Sequence, residues 1–140
     1  MAMPTWSICC YPTETGFVAG MSELVREAMQ KCSGKDRIRY LFTAHGLPQK
    51  VVDAGDPYQW QVERTAAAIA EACGLPADDW RVCYQSRVGP LKWLEPSTDA
   101  EIRRAGADGC SVVLIPLAFV SEHSETLVEF PHSCMARSAR

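Results

Sequence analysis

The feature that most constrains the fold is a run of four large apolar residues, Val112-Val113-Leu114-Ile115. The run has the length of a strand, and its lack of alternation indicates that both faces of that strand are buried. Strands of this kind are typical of parallel sheets that helices cover on both sides. We therefore predict a strand over residues 110–117 that is buried on both faces in an α/β domain.

Helical patterns occur at three places before this strand. Apolar residues at helical spacing predict a helix over 17–29 and another over 57–73, for which Asp56 is the expected cap. A third, short helix is predicted over 98–105, because Thr98-x-x-Glu101 has the form of a capping box. Each of these helices precedes or follows a stretch with the composition of a strand.

Two further strands are predicted, over 38–44 and 80–84. The alternation of helices and strands is typical of an α/β fold with a doubly wound, open parallel sheet and helices on both faces. Ligands of such sheets bind beyond the carboxyl ends of the strands. We expect one domain over 1–130, which lacks a helix to cover its last strand, and an irregular tail over 131–140.

Composition excludes several function classes. The chain has 140 residues and a formal net charge of −3 without a basic run, so we predict no nucleic-acid partner. No apolar stretch approaches the ~20 residues of a membrane span, and no signal peptide is recognisable, so we expect a cytoplasmic protein without a transmembrane segment. Phosphate-binding glycine loops and a nucleophile elbow are absent. The seven cysteines form no Cys-x-x-Cys pair, which indicates reduced thiols.

A histidine, His45, directly follows the first predicted strand, at the start of a loop. A single histidine in a loop is more often a surface or capping residue than a functional one. Here Gly46 permits close approach of another backbone, and Pro48 stiffens the loop. A neutral imidazole in this position could accept protons or bind a borderline metal such as Fe²⁺.

A second cluster, Ser121-Glu122-His123-Ser124-Glu125, follows the last predicted strand. Acidic residues at a helix N-terminus would explain one of its carboxylates through the helix dipole. Carboxylates and an imidazole together could instead bind a divalent cation or move protons. The residues by themselves leave both interpretations open.

The third candidate is the segment from Arg87 to Leu94, which includes Trp93. It could be a loop with its tryptophan packed on the core. It could also form an aromatic and basic rim for a large, flat, anionic ligand, with Arg87 or Lys92 near the carboxylates of that ligand.

These segments resemble successive blocks of the ferrochelatase family, in the order and spacing of that family, over roughly residues 11–130. The blocks are Leu41-Phe42-Thr43-Ala44-His45-Gly46-Leu47-Pro48, Gly55-Asp56-Pro57-Tyr58, Gln61-Val62-Glu63, Cys83-Tyr84-Gln85-Ser86-Arg87-Val88-Gly89-Pro90, Trp93-Leu94-Glu95-Pro96 and Pro116-Leu117-Ala118-Phe119-Val120-Ser121-Glu122-His123-Ser124-Glu125-Thr126-Leu127. The resemblance implies one chelatase-like, Rossmann-like lobe, incomplete at its C-terminus.

The resemblance further implies a lyase that inserts Fe²⁺ into a porphyrin, protoporphyrin IX or coproporphyrin III, in haem biosynthesis. It implies that His45 and Glu125 are catalytic and that Glu122 and His123 join them around the metal. The residues implied to lie along the porphyrin are Tyr84, Gln85, Ser86, Arg87 and Trp93. Fe²⁺ is then a substrate and no cofactor is required. Some relatives hold a [2Fe–2S] cluster in a C-terminal extension, and we expect none here.

Chains of this family are about twice as long and hold the porphyrin between two lobes. Only the second lobe is matched here, so we expect weak or no chelatase activity from this chain alone, and an N-terminal lobe as a partner. Three alternatives remain: a metal- or haem-binding module without turnover, a related tetrapyrrole cobalt chelatase and, least favoured, a purely structural domain. Peripheral contact with a membrane is left open.

Overall fold

The computed structural model describes residues 3–32, 34, 37–87 and 89–119. Its elements, in chain order, are α1 (Thr15–Lys31), β1 (Ile38–His45), α2 (Gln49–Asp53), α3 (Tyr58–Cys73), β2 (Trp80–Gln85), α4 (Thr98–Ala107) and β3 (Ser111–Pro116). The predicted tail 131–140 and the last predicted cluster, with Glu122, His123 and Glu125, lie outside the described residues.

The three strands form one parallel sheet in the order β2-β1-β3. β1 lies in the centre, where Phe42 is in register with Val82 on one side and with Ile115 on the other. Because all three strands run in the same direction, their carboxyl ends meet at one edge. This arrangement confirms the predicted open parallel sheet of an α/β fold.

The central strand divides the core into two parts. Tyr40, Phe42 and Ala44 belong to the larger hydrophobic cluster, which includes buried residues of α1 and α3. Leu41 belongs to a smaller cluster on the opposite face, with Cys83 of β2 and Ile102 of α4. Helices therefore cover both faces of the sheet, as predicted.

The apolar run in β3 is divided in the same way. Val113 and Ile115 are buried in the larger cluster, whereas Val112 and Leu114 are half-buried against the smaller one. Neighbouring strand residues point to opposite faces, so an uninterrupted apolar run is what a strand between two helical layers requires. The prediction drawn from this run is confirmed.

The predicted capping box at the start of α4 is wrong by one residue. Ser97 is the N-cap, and its hydroxyl accepts a hydrogen bond from the backbone N–H of Ala100 at 3.2 Å. The side chain of Thr98 is buried instead, 2.8 Å from the hydroxyl of Thr43. A buried hydroxyl needs a partner, and β1 supplies one to Thr98, which leaves the cap to its neighbour.

Helix α2 lies in a segment that the sequence predicted to be a loop. It is a single short turn over Gln49–Asp53 and has no buried residue. Helix α3 starts at Tyr58, whose backbone N–H donates to the carboxylate of Asp56 at 2.9 Å, so Asp56 caps as predicted. The helix ends at Gly74, which has the left-handed conformation.

The described cysteines are all free thiols, and Cys83 is the buried one among them. Among the described helices, none is long and apolar enough to cross a membrane.

Candidate active site at the carboxyl end of the sheet

His45 is the last residue of β1, and its register partner in β2 is Gln85, the last residue of that strand. The sequence predicted both residues in loops after the strands, which is a displacement of one position for each. The parallel pairing brings together two residues that are forty positions apart in the chain. The half-buried His45 thus lies at the edge where ligands of α/β sheets bind.

Tyr58 fixes the backbone at His45. The Tyr58 hydroxyl, at the start of α3, donates a hydrogen bond to the carbonyl oxygen of His45 at 3.0 Å. This bond joins the first turn of a helix to the last residue of the central strand. Tyr58 was absent from the predicted site residues, although it belongs to the Gly55-Asp56-Pro57-Tyr58 block. The sequence signal available for it was a tyrosine two residues after Asp56, the expected cap of the helix.

Gly46, directly after β1, is in close backbone contact with the end of β2. Its backbone N–H donates to the carbonyl oxygen of Gln85 at 2.7 Å. A Cβ atom at Gly46 would lie 2.8 Å from that oxygen and 3.2 Å from the carbonyl oxygen of Ser86. The close backbone approach predicted for this glycine is confirmed.

The loops after β1 and β2 are joined by backbone hydrogen bonds. The N–H of Leu94 donates to the carbonyl of Leu47 at 2.9 Å, and the N–H of Gln49 donates to the carbonyl of Lys92 at 2.8 Å. Between these bonds, the half-buried Trp93 has its ring 3.5 Å from the position of a Cβ at Gly46. Trp93 therefore packs against the loop that starts at His45.

Ser86 and Arg87 follow β2 directly. Ser86 has a φ of 62°, a left-handed conformation that is uncommon outside glycine and is often found at functional sites. The guanidinium of Arg87 donates to the carbonyl oxygen of Leu94 and to a carboxylate oxygen of Glu95, both at 3.3 Å. Arg87 thus closes its own loop, with its side chain still 41% exposed.

Tyr84 is placed differently from the expectation. It is only 2% exposed and belongs to the larger core cluster. Burial raises the pKa of its phenol above the ordinary value, so the hydroxyl stays protonated. Tyr84 lies one residue before the strand end, and its side chain packs in the core on the side of α1 and α3. This position argues against the predicted contact between Tyr84 and a macrocycle.

A cavity of about 280 Å³ lies at the start of α3, and none of the described predicted site residues lines it. Tyr58 forms part of its wall, together with Leu117 and Phe119 after β3 and with residues 9–12 before α1. Ala118, between the two β3-side residues, has a φ of 62°. Non-glycine residues in the left-handed conformation thus follow both β2 and β3, at the same edge of the sheet.

The predicted metal residues Glu122, His123 and Glu125 belong to the segment that the structure does not describe, so their distance to His45 stays a prediction. Within residues 3–32, 34, 37–87 and 89–119, no group of three or more His, Cys, Asp or Glu side chains is placed to hold a metal ion. Of the predicted site residues that are described, His45, Gln85, Ser86, Arg87 and Trp93 gather at one edge, and Tyr84 lies in the core.

Comparisons with known proteins agree on one family. A family model described as ferrochelatase matches residues 1–139. A protein named ferrochelatase from Caulobacter vibrioides is 58% identical over 126 residues, which is 90% of this chain and 36% of the relative. Ferrochelatases from Phenylobacterium zucineum and Rickettsia bellii are 55% and 48% identical, over 93% and 91% of this chain. The chain spans about a third of the length of these relatives. The expectation of relatives about twice as long as this chain is therefore wrong.

Proposed function

Because the chain belongs to the ferrochelatase family, we propose that it carries the catalytic part of a chelatase that inserts Fe²⁺ into a porphyrin. Protoporphyrin IX and coproporphyrin III are the proposed macrocycles. His45 and Glu125 are the proposed catalytic residues, with Glu122 and His123 beside the metal. Fe²⁺ acts as substrate, and neither a resident cofactor nor a [2Fe–2S] cluster is part of the proposal.

The observation that carries this proposal is the pairing of His45 with Gln85 at the carboxyl end of the sheet. An imidazole and an amide end two paired strands there, and the ring of Trp93 lies on one of two following loops that hydrogen bond to each other. A flat aromatic ligand needs a site of this kind, with an aromatic wall and polar groups at its edge. The segment with Glu125 continues from β3, whose carboxyl end lies at the same edge.

The proposed chemistry is a proton-for-metal exchange. A free porphyrin carries two N–H protons on its inner nitrogens, and both must leave as Fe²⁺ enters. A neutral imidazole is a suitable proton acceptor near pH 7, which is the role proposed for His45. The carboxylates of Glu122 and Glu125 are suited to carry the metal or the second proton. Distortion of the ring, which exposes its nitrogens, costs about 1–5 kcal/mol and is drawn from binding of the rest of the macrocycle.

Substrate orientation is assigned to the loop residues. Gln85 and Ser86 follow one another at the end of β2, and Trp93 offers a ring for stacking. A guanidinium pairs well with a carboxylate, so Arg87 is proposed to exchange Glu95 for a carboxylate of the porphyrin. The proposal also includes a cytoplasmic location, an N-terminal lobe that completes the pocket and, as an open question, peripheral contact with a membrane.

The test is a metal-insertion assay on the chain. Protoporphyrin is added first and its binding is followed by the Soret band, then Zn²⁺ or Fe²⁺ is added and insertion is followed by porphyrin fluorescence. We expect weak or no turnover from the chain alone, and we expect His45→Ala to reduce any turnover that is measured by about 10²- to 10⁴-fold, the usual contribution of a general base.

The matched control is His132→Ala, which removes a histidine from the predicted tail and should leave turnover unchanged. Turnover of the chain alone at an ordinary enzyme rate would contradict the proposed need for an N-terminal lobe, and porphyrin binding without any metal insertion would favour the binding module instead. Equal turnover of His45→Ala and the unaltered chain would remove the proposed role of His45.

A further inference from the structure

The peptide bond between His45 and Gly46 is held at both of its polar ends. Its carbonyl oxygen, which belongs to His45, accepts the hydrogen bond from the Tyr58 hydroxyl at 3.0 Å. Its N–H, which belongs to Gly46, donates to the carbonyl oxygen of Gln85 at 2.7 Å. The two polar groups of a trans peptide point in opposite directions, so α3 and β2 hold the same planar unit from two sides.

These hydrogen bonds restrict a backbone rotation that nothing else in the side chains restricts. A peptide unit is planar, so it turns as a whole about ψ of the residue before it and φ of the residue after it. The residue after it is Gly46, and glycine has more backbone freedom than any other residue. A Cβ at this position would lie 2.8 Å from the carbonyl oxygen of Gln85, so a larger residue cannot replace the restriction.

Pairing with β3 does not extend to His45. The register between β1 and β3 ends with Thr43 opposite Pro116, and the N–H of Leu117 then donates to the carbonyl of Thr43 at 2.8 Å. The next residue, Ala118, has a φ of 62° and leaves the strand conformation. The hydroxyl of Tyr58 therefore supplies a hydrogen bond to β1 beyond the point where the register with β3 stops.

Tyr58 is itself held firmly enough to act as an anchor. It is the first residue of α3, and its backbone N–H donates to the carboxylate of Asp56 at 2.9 Å. Its half-buried ring packs against the larger core cluster. The hydroxyl is thus attached to the core through the ring and to the start of the helix through the backbone.

The two peptide units that flank a residue fix its backbone, and the backbone decides which side-chain rotamers are allowed. For His45, the unit before it lies in the strand that pairs with β2, and the unit after it is the one held by Tyr58 and Gln85. We propose that Tyr58 is a positioning residue, which orients the imidazole of His45 by holding the carbonyl group of that residue. The use made of the imidazole rests on the proposed function.

The test is an NMR comparison of the unaltered chain with Tyr58→Phe, which removes only the hydroxyl, in the absence of porphyrin and metal. One hydrogen bond corresponds to a factor of about 2 to 10 in a local opening equilibrium. We therefore expect the amide of Gly46 to exchange with solvent about 2- to 10-fold faster in Tyr58→Phe. The amide of Phe42, in the middle of β1, should change less. Tyr11→Phe, the same change in another tyrosine of the cavity wall, is the matched control.

The side chain of His45 supplies a readout that a general loss of stability would not change. The three-bond couplings that report χ1 of His45 should move towards rotamer-averaged values in Tyr58→Phe and stay unchanged in Tyr11→Phe. Equal acceleration of the Gly46 and Phe42 amides would overturn the proposal, because it would show a loss of stability of the whole sheet. Unchanged couplings in Tyr58→Phe would overturn it as well.

The metal-insertion assay separates this inference from the proposed function. A misplacement of a reacting group by about 1 Å can cost about 10²-fold in rate, so Tyr58→Phe should lower any measured kcat by up to about 10²-fold and leave the KM for porphyrin unchanged. A kcat reduced by His45→Ala but not by Tyr58→Phe would overturn the inference. If His45→Ala had no effect, the proposed role of His45 would fall, and the NMR measurements would still decide whether Tyr58 orients it.

Discussion

At the scale of single residues, a close approach in the candidate site is that between Gly46 and the end of β2. The carbonyl oxygen of Gln85 occupies the space that a side chain on Gly46 would need. His45 precedes this glycine and Trp93 packs on it. The relative position of these groups therefore depends on the absence of one methyl group.

We predict that Gly46→Ala destabilises the protein by about 1–3 kcal/mol, the usual cost of overpacking. The new Cβ would meet backbone oxygen atoms, which cannot rotate away as a flexible side chain can. Gly20→Ala in α1 is the control, because a Cβ there meets nothing within 4 Å. It should stabilise by about 0.5–1 kcal/mol. Urea denaturation measures the free energy of unfolding of both variants. Equal changes in the two variants would contradict the close contact between Gly46 and the backbone at the end of β2.

Cys83 gives a prediction on pH dependence. Burial raises the pKa of its thiol from 9.0 to about 11, although hydrogen bonds with Thr98 and Thr43 act in the opposite direction. Between these values the unfolded chain loses the thiol proton and the folded chain keeps it. The free energy of unfolding therefore falls as the pH rises from 9 to 11, by about 2–3 kcal/mol from this group.

The contribution of Cys83 is obtained by comparing the free energy of unfolding of the unaltered chain with that of Cys83→Ala. Each is measured by urea denaturation at pH 8 and at pH 11. We expect the stability of Cys83→Ala to decline less over this range. Cys110→Ala, which removes a thiol that is not fully buried, should decline as the unaltered chain does. Parallel declines for all three proteins would show that Cys83 is not protonated in the folded state at high pH.

At the scale of secondary structure, α4 is attached to the sheet through its first turn. Ser97 caps the helix, and the next residue, Thr98, is hydrogen bonded to Thr43 in the core. The two adjacent residues therefore have different tasks, one for the helix and one for the contact between helix and sheet.

Ser97→Ala is expected to lower the free energy of unfolding by about 1 kcal/mol, since an N–H at the helix start loses its acceptor. Ser97→Asp should retain the stability, because a carboxylate also caps. Thermal unfolding with both variants tests this. If Ser97→Ala had no effect, the cap would lie elsewhere, as in the box that the sequence predicted.

At the scale of the whole molecule, β1 is the element on which the two core clusters meet. It is hydrogen bonded to β2 and to β3, and it supplies buried residues to both clusters. The helices on both faces of the sheet therefore pack on core clusters that contain residues of β1.

We predict that backbone amides of β1 exchange with solvent more slowly than those of any other described element, because their exchange requires opening of both halves of the core. Hydrogen exchange followed by NMR tests this. Amides in the irregular stretch before α1, where Trp6 and Ile8 are exposed, should exchange fastest. Slower exchange in α3 than in β1 would contradict a core centred on this strand.

Much of the fold could be predicted from local patterns. The apolar run in β3, the strand at 38–44 and the helix that ends at Gly74 were all indicated by residue type and spacing. The errors lie at boundaries, such as the cap at Ser97 instead of Thr98. There, both residues are of types that cap helices, and Thr98 is engaged by a hydrogen bond to a distant strand.

The candidate site was predictable in its residue types and less so in its geometry. His45 and Trp93 were found from their loops and from the family pattern, but the burial of Tyr84 was not. The direction of a side chain near a strand end depends on the exact register of that strand, and a shift of one residue reverses it. Tyr58 was missed because its hydrogen bond to His45 joins two elements.

The amino-acid sequence by itself determined the kinds of elements, their order and their layering, because periodicity and caps act between neighbours in the chain. Only the tertiary structure decided that His45 is paired with Gln85, that Gly46 touches the end of β2 and that Cys9 and Cys10 share a cavity with Phe119. Such contacts join segments far apart in the chain, and their geometry is set by register and packing that no local pattern contains.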